Sequence, residues 1–464
     1  MVYVGYLTSL LYLLVRVSRC TDYFGYVLAH LRVPFAILGL GILAAIVTGR
    51  IFNAMLSKQG ARVLGLTFLF LLSSAFSLWP GGSVHQLREL WPPNLMLFLI
   101  LASFLTTLQG LRTAVVMVGL GVGMSAAYGQ LIGQTQDGRM AAGNMSYGNP
   151  NDYALVLLLG MPPMLYLIAD KTRPIWLRLL MIPLLGVTVL GFVGTGSRGG
   201  LLGFCVMSVF VLLHMSWSAR INAVVAAVFL AICGIAAAPR ATLQRLSTFL
   251  EVQQPSQEQF MSAQFDQGEG GAEGGEDLTV TAAASARGRL HLVEQAIQVT
   301  AQHPLLGSGF GMFMVAENSL AQDQGYHRGS WKGTHNMYLQ MSSENGLPAF
   351  FLFLTIIYSA WKTLRRHRQL GPNPSRNQIE MRNISFVFSA SMVAFLVSST
   401  FLTVAYDFFV MMFAAVAVGF DNVALLEQQR IAREEQEAGA ETPSGRRDWA
   451  PEPVGVGAYS RGLS

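Results

Sequence analysis

The chain has 464 residues, of which 52% are hydrophobic and 12% charged, with a mean hydropathy of +0.44. A soluble globular domain carries about twice that charged fraction, so water cannot be the solvent for most of this chain. The formal net charge of +5 is ordinary for a membrane protein with basic cytoplasmic loops, and it is no argument for nucleic acid as a partner.

Apolar windows predict an all-α polytopic membrane protein with about twelve transmembrane helices. They lie near residues 3–15, 33–49, 63–79, 92–107, 113–133, 152–169, 176–193, 199–215, 220–238, 344–361, 384–403 and 406–426. The first window is short and its spanning is open. Arg16 and Arg19 follow it where a signal peptidase needs small residues, so no cleavable signal is expected. One long gap, from about Arg240 to Thr334, leaves a single large extramembrane loop. The predicted organisation is therefore transmembrane helices over 1–238, a loop over 239–343, helices over 344–426 and a polar, disordered tail over 427–464.

Basic residues set the expected orientation. Lys362, Arg365, Arg366, Arg368, Arg376 and Arg382 crowd one loop; Lys171, Arg173 and Arg178 mark another, and Arg50, Lys58 and Arg62 a third. These loops share one side, which the positive-inside rule makes cytoplasmic, and the long loop then faces outward. Arg16, Arg19 and Arg32 run against the rule. Of the three cysteines, Cys20, Cys205 and Cys233, none lies in the long loop. Neither a disulfide framework nor a CxxC or Cys/His metal spacing is present, so no metal is expected.

In chain order, the first loop with candidate chemistry is 134–151, which holds Arg139. The Tyr147-Gly-Asn-Pro-Asn-Asp152 entry to the next span follows, with Asn151 or Asp152 expected as a helix cap. Gly194-Thr-Gly-Ser-Arg198-Gly-Gly200 lies between two spans. Its arginine fork suits phosphate oxygens and its glycines allow close backbone approach, although a snorkelling arginine among lipid headgroups reads equally well. Thr195 stands where a serine-hydrolase elbow needs glycine, which excludes that motif.

In the long loop, residues 266–277 (DQGEGGAEGGED) have nothing to bury and read as disordered. Ser285-Ala-Arg287-Gly-Arg289-Leu290 would head a helix whose apolar stripe is Leu290, Val293, Ala296 and Ile297, ended by His303-Pro304. Two arginines at a helix N-terminus fit an anion site or a solvated basic face. The Gly307/Gly309/Gly311 turn lacks dinucleotide-binding spacing. Thr334-His335-Asn336-Met337-Tyr338 then places a histidine where the polar loop meets the last group of spans. An imidazole with an ordinary pKa near 6.5 accepts a hydroxyl proton at neutral pH; it is equally a group that caps a helix. His327 and His303 supply no metal-ligand pair with it. Asp407, at the start of the last span, is placed to pair with an arginine.

Taken together and in this order, Gly196-Ser-Arg-Gly-Gly-Leu201, Arg289-Leu290, His303-Pro-Leu-Leu-Gly-Ser-Gly309, His335-Asn-Met-Tyr-Leu339 and Glu344-Asn-Gly-Leu347 resemble the O-antigen ligase/polymerase family of bacterial envelope glycosyltransferases. The resemblance covers roughly Tyr147 to Phe353. It implies a GT-C-like membrane enzyme of the bacterial inner membrane with its active site facing the periplasm. Such an enzyme moves a glycan from an undecaprenyl-pyrophosphate carrier to a hydroxyl on lipid A core, a glycan chain or a protein, with no metal and no other cofactor. Carried over by position, His335 would activate the acceptor, while Arg198 and Arg289 (or Arg287) would hold the pyrophosphate, with Arg139 and Asn336 as further substrate-binding residues. Inverting ligation is the first expectation; polymerisation of O-antigen or exopolysaccharide and oligosaccharide transfer to protein are variants within the family. A transporter or flippase for a lipid-linked glycan, or a docking scaffold, is the competing class. A transporter calls for paired broken helices at mid-membrane, which this sequence does not show.

Overall fold

A computed structural model describes residues 1–23, 32–136, 139–142, 148–214, 217, 220, 278–323, 325 and 331–441. All but the first residue of the predicted span at 220–238, the acidic insert at 266–277, Cys233, His327 and the tail beyond Glu441 lie outside the described residues.

Among the described residues the chain is almost wholly helical, as suits a membrane-spanning fold. The N-terminal helices are α1 (Val2–Ser18), α2 (Val33–Val47), α3 (Arg50–Leu56), α4 (Lys58–Ala75), α5 (Pro80–Phe104) and α6 (Leu108–Ile132). They are followed by α7 (Pro150–Ala169), α8 (Ile175–Gly194) and α9 (Arg198–His214). The long loop contributes α10 (Leu278–Gln302) and α11 (Phe313–Asp323), and the chain closes with α12 (Met337–His367), α13 (Arg376–Ser398) and α14 (Phe408–Glu441). Each predicted apolar window inside the described residues falls on one of these helices.

Among the described residues, six helices (α6, α7, α8, α12, α13 and α14) are long and apolar enough to span, or seven spans if α2 and α3, bent by 90°, count as one. α1 and α9 are apolar but shorter. Hydropathy windows register any buried helix, and α1 is packed along α6 and α2 rather than standing alone. The chain divides into two compact units, Met1–Val423 and Ala424–Ser464. In the second, Arg430 pairs with Glu427 at 2.7 Å and Glu434 at 2.6 Å.

One element departs from the all-helical expectation. Gln134–Gln136 and Arg139–Ala141 form an antiparallel hairpin, β1 and β2, pairing Gln136 with Arg139. Three residues per strand are too few for an alternating pattern to register in sequence.

The loop helices have their own small core. Leu292, Ala296 and Val299 of α10 pack on Phe313, Ala316 and Leu320 of α11, with Leu339 of α12 against them. This corrects the expected stripe: of Leu290, Val293, Ala296 and Ile297, Leu290 and Ile297 are exposed, and only Ala296 belongs to this core. The helix also begins at Leu278, well before Ser285, so Arg287 and Arg289 lie inside it and no helix N-terminus supports them. Arg289 instead shares the face of Leu292, Ala296 and Val299, at i, i+3, i+7 and i+10.

The join between loop and membrane helices depends on two glycines with positive φ. α12 is broken at Gly346 (φ 78°, ψ 174°), two residues before Pro348. A Cβ there would stand 2.3 Å from the Leu305 carbonyl oxygen, and one at Gly307 (φ 70°) would stand 2.3 Å from the Glu344 carbonyl carbon. The two backbones are therefore in contact, and hydrogen bonds seal the join. Ser308 N–H donates to Ser343 O (2.8 Å), Gly309 N–H to Glu344 O (2.9 Å) and Leu347 N–H to Pro304 O (2.7 Å). These satisfy the backbone groups that the break releases.

Candidate functional site

His335 ends the loop, one residue before the cap of α12. Asn336 is that cap: its Oδ1 accepts from Tyr338 N–H (2.9 Å) and Leu339 N–H (3.0 Å). The expectation that the histidine might cap the helix therefore moves by one residue. Asn336, a candidate for binding substrate, spends its side-chain oxygen on the helix. Thr334 Oγ1 adds a hydrogen bond to Asn336 O (3.0 Å).

His335 itself has φ 46°, in the left-handed region. For a residue with a Cβ this costs on the order of 1–3 kcal/mol and persists only where surrounding contacts hold it. Its N–H donates to Thr403 Oγ1 at 3.0 Å. Burial, and then the charges of Arg289 and Lys332, pull the imidazole down from its ordinary value to about 4. The sequence suggested an unperturbed group; the fold makes it a neutral imidazole held beside two cations.

Arg289 is the link between the two halves of the site. Its charge acts on His335, and it also lines a cleft with Asn151, Ser197, Gly199, Gly200, Ser398, Phe401 and Leu402. Arg198 begins α9 on the turn whose Ser197, Gly199 and Gly200 line that cleft, and is half-buried. Ser197 caps α9: its Oγ accepts from Gly200 N–H (3.2 Å) and donates to Asn151 Oδ1 (2.9 Å). Gly196 has φ 54°, which turns the chain from α8 into α9.

Arg139 supports this turn. Its Nε donates to Thr195 O (2.8 Å) and its Nη2 to Asn151 Oδ1 (2.7 Å). The helix entry is also reassigned. Asn149, rather than Asn151 or Asp152, caps α7 by accepting from Asn151 N–H (2.9 Å), which leaves the Asn151 side chain for Arg139 and Ser197. The side chain of Arg287 lies outside the described residues.

The structure thus brings Arg289, the Arg198 turn and His335 to one end of the helical bundle. Thr403, Lys332 and Phe401 join them, and sequence reading singled out none of these. Thr403 and Phe401 sit in a connector between two late helices, with no motif around them. Among the described residues, no group of three or more His, Cys, Asp or Glu side chains is arranged to hold a metal. The same end collects two of the arginines that ran against the positive-inside rule, Arg16 and Arg19. Arg16 Nη2 donates to Asn94 Oδ1 (2.6 Å), and Arg19 lies 3.7 Å from Asp407, the pairing expected of that aspartate.

No curated protein matches the chain. Residues 181–354 match the family model described as O-Antigen ligase, so the stretch from α8 through His335 to the break in α12 carries the signature of the O-antigen ligase family that the motifs resemble.

Proposed function

We propose that the protein transfers a glycan from an undecaprenyl-pyrophosphate carrier to an acceptor hydroxyl at the periplasmic face of the bacterial inner membrane, with inversion at the anomeric carbon. The observation that carries this reading is the position of Arg289, which acts on His335 on one side and lines the Arg198 cleft on the other. An anion at that cleft would meet Arg289, with Arg198 on the adjoining turn, while its sugar faces the imidazole.

In this reaction His335 takes the proton of the acceptor hydroxyl as the oxygen attacks the anomeric carbon. The bond from that carbon to the pyrophosphate oxygen breaks, its electron pair leaves on the pyrophosphate, and Arg198 and Arg289 stabilise the charge. Pyrophosphate is already a good leaving group, so one base and two charge-stabilising groups suffice. An imidazole near 4 is a weak base until the donor arrives. The bound diphosphate offsets the Arg289 charge and so strengthens the base in the complex that needs it.

The outward placement of this end is supported by the three basic loops at the other. Arg112 at the start of α6 and Arg173 after α7 both pair with Glu380 near the start of α13, and Arg50 donates to Thr106 there.

The test is reconstitution in proteoliposomes with an undecaprenyl-pyrophosphate glycan and a hydroxyl acceptor. The wild-type protein is expected to yield a new inverted glycosidic bond and free undecaprenyl pyrophosphate. His335→Ala, inserted equally well, is expected to lower the rate by about 10²–10⁴-fold, the contribution of a general base. Undiminished transfer by that variant, or movement of intact donor across the bilayer in place of transfer, would overturn the proposal.

A further inference from the structure

The segment 402–407, between α13 and α14, lies wholly outside the residues that match the family model. It runs beside His335 and the first turns of α12 and touches them through four hydrogen bonds. Thr403 Oγ1 accepts from His335 N–H (3.0 Å), Ala405 N–H donates to Gln340 Oε1 (3.0 Å), and Tyr406 Oη donates to Glu344 Oε2 (2.5 Å) and accepts from Asn345 Nδ2 (2.5 Å). Glu344 is buried and also accepts from the backbone N–H groups of Gly311 (3.2 Å) and Phe313 (3.3 Å), so the Gly-rich turn is tied to the same carboxylate.

The far edge of the segment is anchored in the N-terminal helices. Asn94 Nδ2 of α5 donates to Tyr406 O (2.5 Å), Arg16 of α1 donates to Asn94, and Arg19 faces Asp407. The Tyr406 ring stacks on Phe310, with centroids 3.8 Å apart, and Phe70 packs edge-on against both. The segment is therefore a splint, immobilised on one side and presenting a hydroxyl on the other. That hydroxyl meets the backbone of the one histidine among the described residues with positive φ. Thr403 is itself exposed, and the loop approaches it closely, since a Cβ on Gly333 would stand 2.9 Å from Thr403 Oγ1.

We propose that Thr403 is a positioning residue for His335: its hydroxyl accepts the His335 N–H and thereby holds the left-handed turn that aims the imidazole at the acceptor. The inference rests on the reading of His335 as the base. It adds that the base is aimed by a splint built from α1, α5 and the 402–407 segment. Thr334 and Asn336 brace the turn from within, but neither reaches the His335 N–H. Thr403 supplies that contact from outside.

The test compares wild type, Thr403→Val and Thr403→Ser in the full-length protein, with two readouts. The first is the pH midpoint for modification of His335 by diethylpyrocarbonate, followed by mass spectrometry of its peptide, which needs no transfer activity. The charged groups acting on that imidazole are Arg289 and Lys332, and both remain in every variant. The second is kcat against KM for the lipid-linked donor. Valine keeps the shape and removes the acceptor, so the midpoint is expected to rise as the imidazole leaves its buried position. In the same variant kcat should fall about 10- to 100-fold, the cost of up to an ångström of misplacement, at unchanged KM. Serine is expected to restore both values. An unchanged midpoint or kcat in Thr403→Val, or failure of serine to rescue, would overturn the assignment. If the wild-type protein transfers no glycan, the proposed function fails, while the midpoint still decides whether Thr403 holds the turn.

Discussion

Both ends of the helical bundle gather arginines, and the fold uses them in opposite ways. At the end bearing the basic loops, Arg112 and Arg173 converge on Glu380, and Arg173 also meets Asp170 at 2.9 Å. Three elements are stitched together and positive charge is cancelled by carboxylate. At the other end, Arg289 lines a cleft with the Arg198 turn, and its charge acts on the His335 imidazole, a group that titrates. The comparison teaches that an arginine's meaning in such a protein lies in what its charge acts upon. A carboxylate partner makes it a structural link, whereas an imidazole neighbour makes it a candidate member of the proposed site.

The sharpest way to break this contrast is at Arg289. Arg289→Gln is expected to lower the transfer rate by about 10²–10³-fold, as removal of a preorganised donor to a developing charge does. It should also move the acid limb of kcat/KM. The folded imidazole lies below its ordinary value, so His335 is neutral at neutral pH and gains its proton only as pH falls toward about 4. Removing a nearby positive charge eases protonation, so the limb should rise. It should stop short of the ordinary 6.5, because burial is the larger cause and remains. A rate loss with an unmoved limb would separate Arg289 from His335. The same depression has a stability consequence: between 6.5 and about 4 the unfolded chain binds the proton that the folded one refuses, so the fold weakens as pH drops through that window.

A smaller effect is expected at Arg198. Arg198→Lys keeps the charge and gives up the two-point grip on phosphate oxygens, so the rate should drop by about tenfold, the value of one charge-assisted hydrogen bond. Equal rates for the lysine variant would argue that Arg198 contacts lipid headgroups instead.

The smallest effect belongs at the opposite end. Glu380→Gln removes the carboxylate shared by Arg112 and Arg173 and should cost on the order of 1 kcal/mol in thermal unfolding, as partly exposed pairs do. Transfer per folded molecule should be unchanged. A transfer defect there, with stability intact, would erase the distinction between the two ends.

Much of the fold was legible in sequence because a bilayer permits so little. Every apolar window among the described residues became a helix, since no other local structure satisfies its backbone in hydrocarbon. Which of those helices are long enough to cross was not legible. α1 has the composition of a span but only 17 residues, and α2 with α3 is one apolar stretch bent by 90°. The histidine at the foot of α12 was also visible, because Thr334-His335-Asn336 interrupts the chain just before an apolar run. Its cap, the buried face of α10 and the Asn149 entry were each misplaced by a few residues. Several periodic stripes compete on a helix whose apolar residues do not gather on one side, and adjacent asparagines offer equivalent caps.

The sequence alone determined that this is a helical membrane protein and which side chains are candidates for proton-accepting and phosphate-holding chemistry, because hydropathy and functional-group identity are local properties. Only the tertiary structure decided that Arg289 meets both the Arg198 turn and His335, and that a threonine from a late connector holds the histidine's backbone. Those relations join positions far apart in the chain, and the imidazole's acidity follows from the burial and neighbouring charge that folding creates.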